Sequence, residues 1–122
     1  MTTLKIQVTV EITEEQIKDV LVTALEGGSN YWYELDIKAP KGTPYEDYIT
    51  QQVISGESIP VYDIEDEDED RVPLGFINLE NMERGFYLYS KDRDLVYLLD
   101  GGDAEDADMW FQFTVMGEIV YG

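Results

Sequence analysis

The chain contains no cysteine and no histidine. The lack of cysteine excludes disulfides, thiolate nucleophiles and Cys-based zinc sites. The lack of histidine removes the side chain that most often shuttles protons near neutral pH and most often binds transition metals. No apolar run approaches the roughly 18 residues that a membrane span requires, and the N-terminal residues lack the apolar stretch of a signal peptide. We therefore expect a soluble cytoplasmic protein.

Positive charge is also scarce. Eight Lys and Arg residues stand against 27 Asp and Glu residues, which gives a formal net charge of -19 on 122 residues. The acidic residues are densest between positions 63 and 70, where they are Asp63, Glu65, Asp66, Glu67, Asp68, Glu69 and Asp70. Such a surface repels nucleic acid and anionic lipid and attracts a basic cleft. The charge therefore predicts a basic protein as partner, and neither nucleic acid nor a membrane.

A second acidic group lies between positions 100 and 108. Its members are Asp100, Asp103, Glu105, Asp106 and Asp108. Carboxylate clusters are what Ca²⁺ and Mg²⁺ prefer, but the spacing here misses the D-x-[DN]-x-[DN]-G register of an EF-hand loop. The 63–70 run lacks the glycine that such a loop needs for its turn. We predict no dedicated metal site and no cofactor.

Catalytic motifs are missing as well. The sequence has no G-x-S-x-G elbow and no glycine-rich phosphate loop. Carboxylates are numerous, but nothing marks a pair whose environments would push their pKa values apart, as acid–base catalysis requires. We therefore expect that the protein is not an enzyme.

The clearest local pattern is a strict alternation in residues 3–12. Apolar side chains occupy every second position: Leu4, Ile6, Val8, Val10 and Ile12. A period of two is typical of a half-buried strand. Thr13 and Gln16 then form a capping-box pattern, which predicts a helix that ends at Gly27-Gly28.

The remaining elements are predicted from apolar spacing and turn residues. We expect helices from Thr43-Pro44 to Gly56, from Asn78 through Tyr89 and from Asp103 through Val115. Strands are expected over 31–37, 59–64 and 95–99, with a short extended stretch from Arg71 to Ile77. Met109 to Val115 also suits a buried strand, although we favour a helix. The strand at 59–64 and the extended stretch at 71–77 predict a hairpin with the acidic run at its tip. The expected fold is one α+β domain spanning 1–122, a small mostly antiparallel sheet with about three helices packed on one face.

The acidic run has the spacing of a phosphate backbone if it is extended. Alternate side chains of a strand lie about 6.6–6.8 Å apart, which is close to two phosphate steps of about 3.4 Å each. Glu65, Glu67 and Glu69 would form one row, and the opposite row would contain Asp66, Asp68 and Asp70. The alternative is a solvated hairpin tip whose charge serves solubility.

Three consecutive aromatic residues, Tyr31, Trp32 and Tyr33, form a candidate binding surface. Tyr and Trp are enriched at interface hot spots and also stack on nucleobases. Under this hypothesis Trp32 faces outward as an anchor for a partner. The alternative is that Tyr31 and Tyr33 pack in the core while Trp32 covers a neighbouring helix.

Two short stretches resemble a known group of proteins. Residues 24–33, ALEGGSNYWY, and residues 117–122, GEIVYG, are similar to parts of small uncharacterised acidic proteins encoded by bacteriophages and prophages. The resemblance implies a phage origin, and no functional residue is transferred from it. By analogy, small acidic phage proteins are often inhibitors of host restriction enzymes, CRISPR effectors or repair nucleases.

These observations predict an inhibitor of anti-CRISPR or anti-restriction type that acts in the cytoplasm of a bacterial host. The carboxylates of 63–70 and 100–108 would occupy the basic nucleic-acid groove of a host defence protein, with Trp32 as the desolvated anchor. The first alternative is a protein that sequesters a signalling nucleotide of host immunity at Tyr31-Trp32-Tyr33. The second is a virion assembly or structural accessory protein.

Overall fold

A computed structural model describes residues 1–122 and contains five α-helices and three short strands. The helices are α1 (Glu14–Thr23), α2 (Tyr45–Ile54), α3 (Leu79–Asp92), α4 (Leu95–Leu99) and α5 (Ala104–Met116), and the strands are β1 (Tyr33–Glu34), β2 (Ile59–Asp63) and β3 (Gly75–Ile77). One π-helical turn, Ala24–Gly28, continues α1. The α+β class is confirmed, with more helices than the three expected. No helix combines the length and the apolar character that crossing a membrane requires.

The three strands form one antiparallel sheet in the order β1-β2-β3. Tyr33 pairs with Asp63, and Ile59 pairs with Ile77. The hairpin of β2 and β3 is confirmed, and the acidic run lies in the loop that connects them. β1 places Glu34 beside the base of this loop.

Helix starts follow the local signals closely. At α1, the Thr13 hydroxyl accepts a hydrogen bond from the Gln16 N–H, and the Gln16 side chain accepts one from the Thr13 N–H, which is the predicted capping box. Asn78 and Asp103 cap α3 and α5 in the same way, each accepting from the N–H three residues on. The helix over 109–115 is confirmed.

Helix α5 lies at the centre of the core. It packs against α3, α1, β3 and the π-helical turn, and its Trp110 and Phe111 are fully buried. Burial of aromatic side chains of this size is a major source of stability. Trp110 lies 4.9 Å from Phe86 of α3 and 6.2 Å from Phe111 between ring centroids.

Two strand predictions are wrong. Residues 1–12 form no strand and are exposed except for Ile12, because no other strand of the sheet lies beside them to complete a ladder. Residues 95–99 form the helix α4, because the Asp94 carboxylate accepts from the N–H groups of Val96 and Tyr97 and so starts a helical turn.

The strand predicted over 31–37 is reduced to Tyr33–Glu34. Residues 29–32 form a turn, in which the Ser29 carbonyl accepts from the Trp32 N–H. Beyond the turn the expected alternation holds, because Tyr33, Leu35 and Ile37 are half-buried while Glu34 and Asp36 are exposed.

Close approach of α3 to α5 depends on Gly85. A methyl group at this position would overlap the Thr114 hydroxyl of α5. We expect Gly85→Ala to lower the free energy of unfolding by about 1–3 kcal/mol, since overpacking forces the helices apart. Gly27→Ala is the control, because nothing lies within 4 Å of its added methyl group and alanine favours a helix by up to about 1 kcal/mol. Chemical denaturation checks both variants, and equal effects would contradict the close contact.

Candidate functional site

The acidic loop, residues 63–70, is a series of tight turns. The carboxylates of Asp63, Asp66 and Asp68 each accept a hydrogen bond from the backbone N–H two residues on, at 2.9, 3.1 and 3.1 Å. These Asx turns replace the extended conformation. The two predicted rows at strand spacing are therefore wrong, because Asp side chains compete successfully for the backbone N–H groups that a ladder would use.

Arg71 closes the acidic loop. Its guanidinium lies 2.7 Å from a carboxylate oxygen of Glu34 and 2.8 Å from one of Asp36, and it donates to the Asp66 carbonyl at 3.1 Å. It also lies 4.2 Å from the centre of the Tyr62 ring, a cation–π distance. The two carboxylates raise the pKa of Arg71 above its usual value. Arg71 thus fixes the base of the loop to β1 and leaves the tip without a cation.

Most of the negative charge has no partner cation. Only Glu34, Asp36 and Asp47 of the 27 acidic residues form an ion pair with Lys or Arg. Five residues of the acidic loop are exposed and unpaired, namely Glu65, Glu67, Asp68, Glu69 and Asp70. The loop therefore presents a dense negative surface whose backbone is held by its own turns.

The 100–108 group divides into surface and buried residues. Asp100 and Glu105 are exposed, while Asp103 caps α5, where the Asp106 N–H lowers the pKa of the Asp103 carboxyl. Asp106 and Asp108 are buried. The prediction that these two contact a partner is wrong, because both carboxylates accept hydrogen bonds inside the protein.

Asp108 is the centre of a buried hydrogen-bond network. One carboxylate oxygen accepts from the Ser29 hydroxyl at 2.7 Å and from the Trp32 indole N–H at 2.8 Å. The other accepts from the Tyr31 hydroxyl at 2.7 Å and from the Gln112 amide at 3.0 Å. Four neutral donors replace the water that this carboxylate loses on burial. The network ties the 29–32 turn to α5.

Trp32 is not a surface anchor. Its side chain is 1% exposed, stacks on Tyr121 at 5.2 Å between ring centroids, and lies 5.4 Å from Phe111. The outward orientation expected for Trp32 is wrong, because the Asp108 carboxylate and two aromatic rings draw it into the core. Tyr31 is the half-exposed member of the aromatic trio, at 49%.

The C-terminal residues connect α5 to the acidic loop. The Gln112 side-chain carbonyl accepts from the N–H groups of Val120 and Tyr121, both at 2.8 Å, and its amide donates to the Tyr121 carbonyl at 3.1 Å. The Tyr121 hydroxyl then donates to the Asp63 carboxylate at 3.1 Å. Gln112 and the Tyr121 side chain thus link Asp108 to the base of the acidic loop.

A cleft of about 560 Å³ opens beside this network. Tyr31, Glu105, Asp108, Gln112 and Tyr121 are among its lining residues, and no Lys or Arg lines it. Its two carboxylates disfavour a phosphate-bearing ligand. No group of three or more acidic side chains converges in the way that metal ligands do.

Sequence reasoning missed Ser29, Gln112, Tyr121 and Arg71. A usable signal existed for Gln112, which lies one helical turn after Asp108 in a helix that is apolar on most of its surface. Polar residues at that spacing within an apolar helix indicate a buried pair. No local signal indicated that residues 29–32 and 120–121 would contact Asp108 and Gln112, because these residues are far apart in the sequence and lie in different parts of the fold.

Comparison with protein-family models, curated proteins and solved structures finds no match to this chain. The resemblance to phage proteins stays a prediction.

The Asp108 network makes a prediction about stability. In Asp108→Asn, the new amide group must face an N–H donor of either Trp32 or Gln112, so we expect a loss of about 1–3 kcal/mol in the free energy of unfolding. Asp106→Asn removes the same charge from the same helix. In the wild-type protein the Tyr89 hydroxyl lies 3.0 Å from an Asp106 carboxylate oxygen, and in the variant it can still donate to the amide oxygen of the asparagine. We expect a loss below about 1 kcal/mol there. Thermal and chemical denaturation compare the two, and equal losses would contradict the network.

Tyr31 supplies a pH-dependent test. Burial and the hydrogen bond to Asp108 raise the pKa of Tyr31 from 10.0 to about 12. The raised pKa favours the protonated folded state, so this contribution to stability is complete below about pH 10 and is lost as the pH rises toward about 12. In Asp108→Asn we expect the pKa of Tyr31 to fall while staying above 10.0, since burial persists. Ultraviolet titration of phenolate absorbance measures the pKa of Tyr31, and the Tyr31→Phe variant assigns the signal. A Tyr31 pKa that is unchanged in Asp108→Asn would contradict the hydrogen bond between the two side chains.

Proposed function

We propose that this protein is a non-enzymatic inhibitor that binds the basic nucleic-acid groove of a host defence protein, of restriction or CRISPR type, through the acidic loop. The observation that carries the proposal is the state of the loop carboxylates. Five of the seven are exposed, none of the seven forms an ion pair, and the loop backbone is held by Asx turns and Arg71. A groove built for phosphates is complementary to such a surface.

The fixed backbone of the loop favours binding. A flexible acidic tail would lose conformational freedom when it binds, which reduces affinity. Here Asp63, Asp66 and Asp68 already order the chain in the free protein, and Arg71 holds its base. Dense negative charge held in place can release its own counterions when a basic groove neutralises it, as the phosphates of DNA do.

Apolar contacts beside the loop supply the desolvated part of the interface. Ile64 lies at one end of the loop and is 43% exposed, and Val72 lies just beyond the other end and is 77% exposed. Charge speeds association, whereas tight binding needs packed contacts. These two side chains take the role that was expected of Trp32.

The nucleotide-sequestration alternative has less support. The cleft beside Tyr31 has room for a small ligand, but Glu105 and Asp108 line it and no Lys or Arg does. A nucleotide phosphate would meet repulsion there rather than a donor. No feature of the structure favours a virion role.

Capture of the partner is the first experiment. The immobilised protein is exposed to host-cell lysate at low and at high salt, and the bound fraction is identified by mass spectrometry. We expect a basic nucleic-acid-binding protein that is retained at low salt and released as salt rises, because exposed charges are screened. Retention that is independent of salt, or capture of a small molecule instead, would contradict the proposal.

A pair of charge-matched variants tests the role of the loop. The loop variant carries Glu→Gln or Asp→Asn at positions 65–70, which keeps an oxygen acceptor for every Asx turn. The control variant neutralises six exposed acids elsewhere: Glu26, Glu57, Glu80, Glu83, Asp92 and Glu118. We expect the loop variant to bind the captured protein about tenfold more weakly or worse, at roughly 0.2–1 kcal/mol per exposed charge, and the control to lose much less. Equal losses would show that net charge, and not the loop, is recognised.

A further inference from the structure

The N-terminal segment, residues 3–12, is an amphipathic strand sequence without a strand partner. Its apolar side chains are largely exposed: Leu4 86%, Ile6 84%, Val8 74% and Val10 52%. None of the backbone N–H or C=O groups of residues 1–12 takes part in a backbone hydrogen bond. Exposed apolar side chains and free ladder groups are together the features of an edge that pairs with another chain.

The second half of this segment lies along the body of the protein. Val8, Val10 and Ile12 line one side of a groove of about 320 Å³, and Phe86 and Tyr87 of α3 line another. An adjoining groove of about 320 Å³ continues along α3 past Leu79 and Met82. A second strand laid beside the segment would therefore find an apolar floor on α3, which an isolated two-stranded ribbon in water lacks.

Charge points to the identity of the second strand. Residues 3–12 contain two ionisable side chains, Lys5 and Glu11, whose charges cancel. The whole chain, in contrast, has a net charge of -19. Contact through this segment therefore adds no like-charge repulsion of its own to the repulsion between two acidic molecules. A second copy of the chain is such a molecule, and it brings an identical unpaired strand.

The sequence of the segment is self-complementary in one antiparallel register. With the two-fold axis at Val8, Lys5 of each copy faces Glu11 of the other, which gives two charge pairs. The apolar residues face one another on one side of the ribbon: Leu4 with Ile12, Ile6 with Val10, and Val8 with Val8. Moving the axis to Gln7 removes both charge pairs, and a shift of one residue places polar side chains opposite apolar ones. Closed two-fold pairing of this kind is the commonest form of homodimer.

We propose that residues 3–12 pair with the same residues of a second copy, so that the protein forms a homodimer through an antiparallel ribbon centred on Val8 and packed on α3. Pairing supplies the ladder partner whose lack left the predicted strand unformed in the single chain. The acidic loops of the two copies contribute repulsion, so rising salt strengthens this dimer. The same change in salt weakens the proposed binding to a basic partner, and so the two interactions are separable.

Sedimentation of the full chain measures the dimer directly. We expect a species of twice the 14.0 kDa mass to form between micromolar and millimolar concentration, and to form more readily at high salt. Val8→Lys places two like charges at the axis and should leave only monomer. Gln7→Lys adds the same charge on the polar side and should still dimerise. A wild-type chain that stays monomeric to millimolar concentration at high salt would overturn the proposal, and so would a dimer that Val8→Lys leaves intact.

Charge exchange tests the register. Glu11→Lys makes the chain less acidic, which by itself would favour association, yet in the proposed register it places a second lysine opposite Lys5 and should weaken the dimer several-fold. Lys5→Glu should also weaken it, and the double exchange should restore wild-type association. A Glu11→Lys dimer stronger than wild type, or a double exchange that fails to restore association, would overturn the register. If residues 3–12 are protected from hydrogen exchange only when a host protein is added, the pairing strand belongs to that protein, and the proposal of a second copy is overturned.

Discussion

The constraint behind this structure is an excess of negative charge that the chain's own cations cannot neutralise. With eight Lys and Arg residues against 27 acids, most carboxylates must be solvated or must accept hydrogen bonds from neutral groups. The structure uses three neutral sources: backbone N–H groups in the Asx turns of the acidic loop, N–H groups at helix starts, and side-chain donors in the core. Asp108 is the extreme case, because it is buried with four such donors and no cation.

This arrangement connects the core to the surface that we propose as the binding site. Asp108 holds Trp32 and Gln112, Gln112 holds the backbone of Tyr121, and the Tyr121 hydroxyl reaches Asp63 at the base of the acidic loop. The buried network therefore positions the loop, while Arg71 attaches the loop to β1 on the other side. Because Lys and Arg are scarce, the outer carboxylates of the loop form no ion pairs, which is the property that a basic groove would recognise.

Features coded by a few neighbouring residues could be predicted, and features that depend on distant partners could not. The capping residues Thr13, Asn78 and Asp103 marked three helix starts correctly, because a cap requires only the next helical turn. The alternation in 3–12 predicted a strand, but a strand also needs a neighbour, which periodicity does not supply. The prediction that Trp32 faces outward fails for a similar reason, because its orientation depends on a hydrogen bond to Asp108, which is 76 residues away in the sequence. For the candidate site, the sequence located the charge of the acidic loop but not its turns or its link to Tyr121.

Carboxyl footprinting of the complex with the captured host protein tests the central claim most directly. Carbodiimide-activated labelling, read by mass spectrometry, reports the accessibility of each carboxylate in the free and bound protein. If the loop occupies a basic groove, labelling of Glu65 to Asp70 falls on binding while that of Glu80 and Glu83 on α3 is unchanged. If the loop carboxylates stay fully labelled in a stable complex and another face is protected, the acidic loop is not the binding surface.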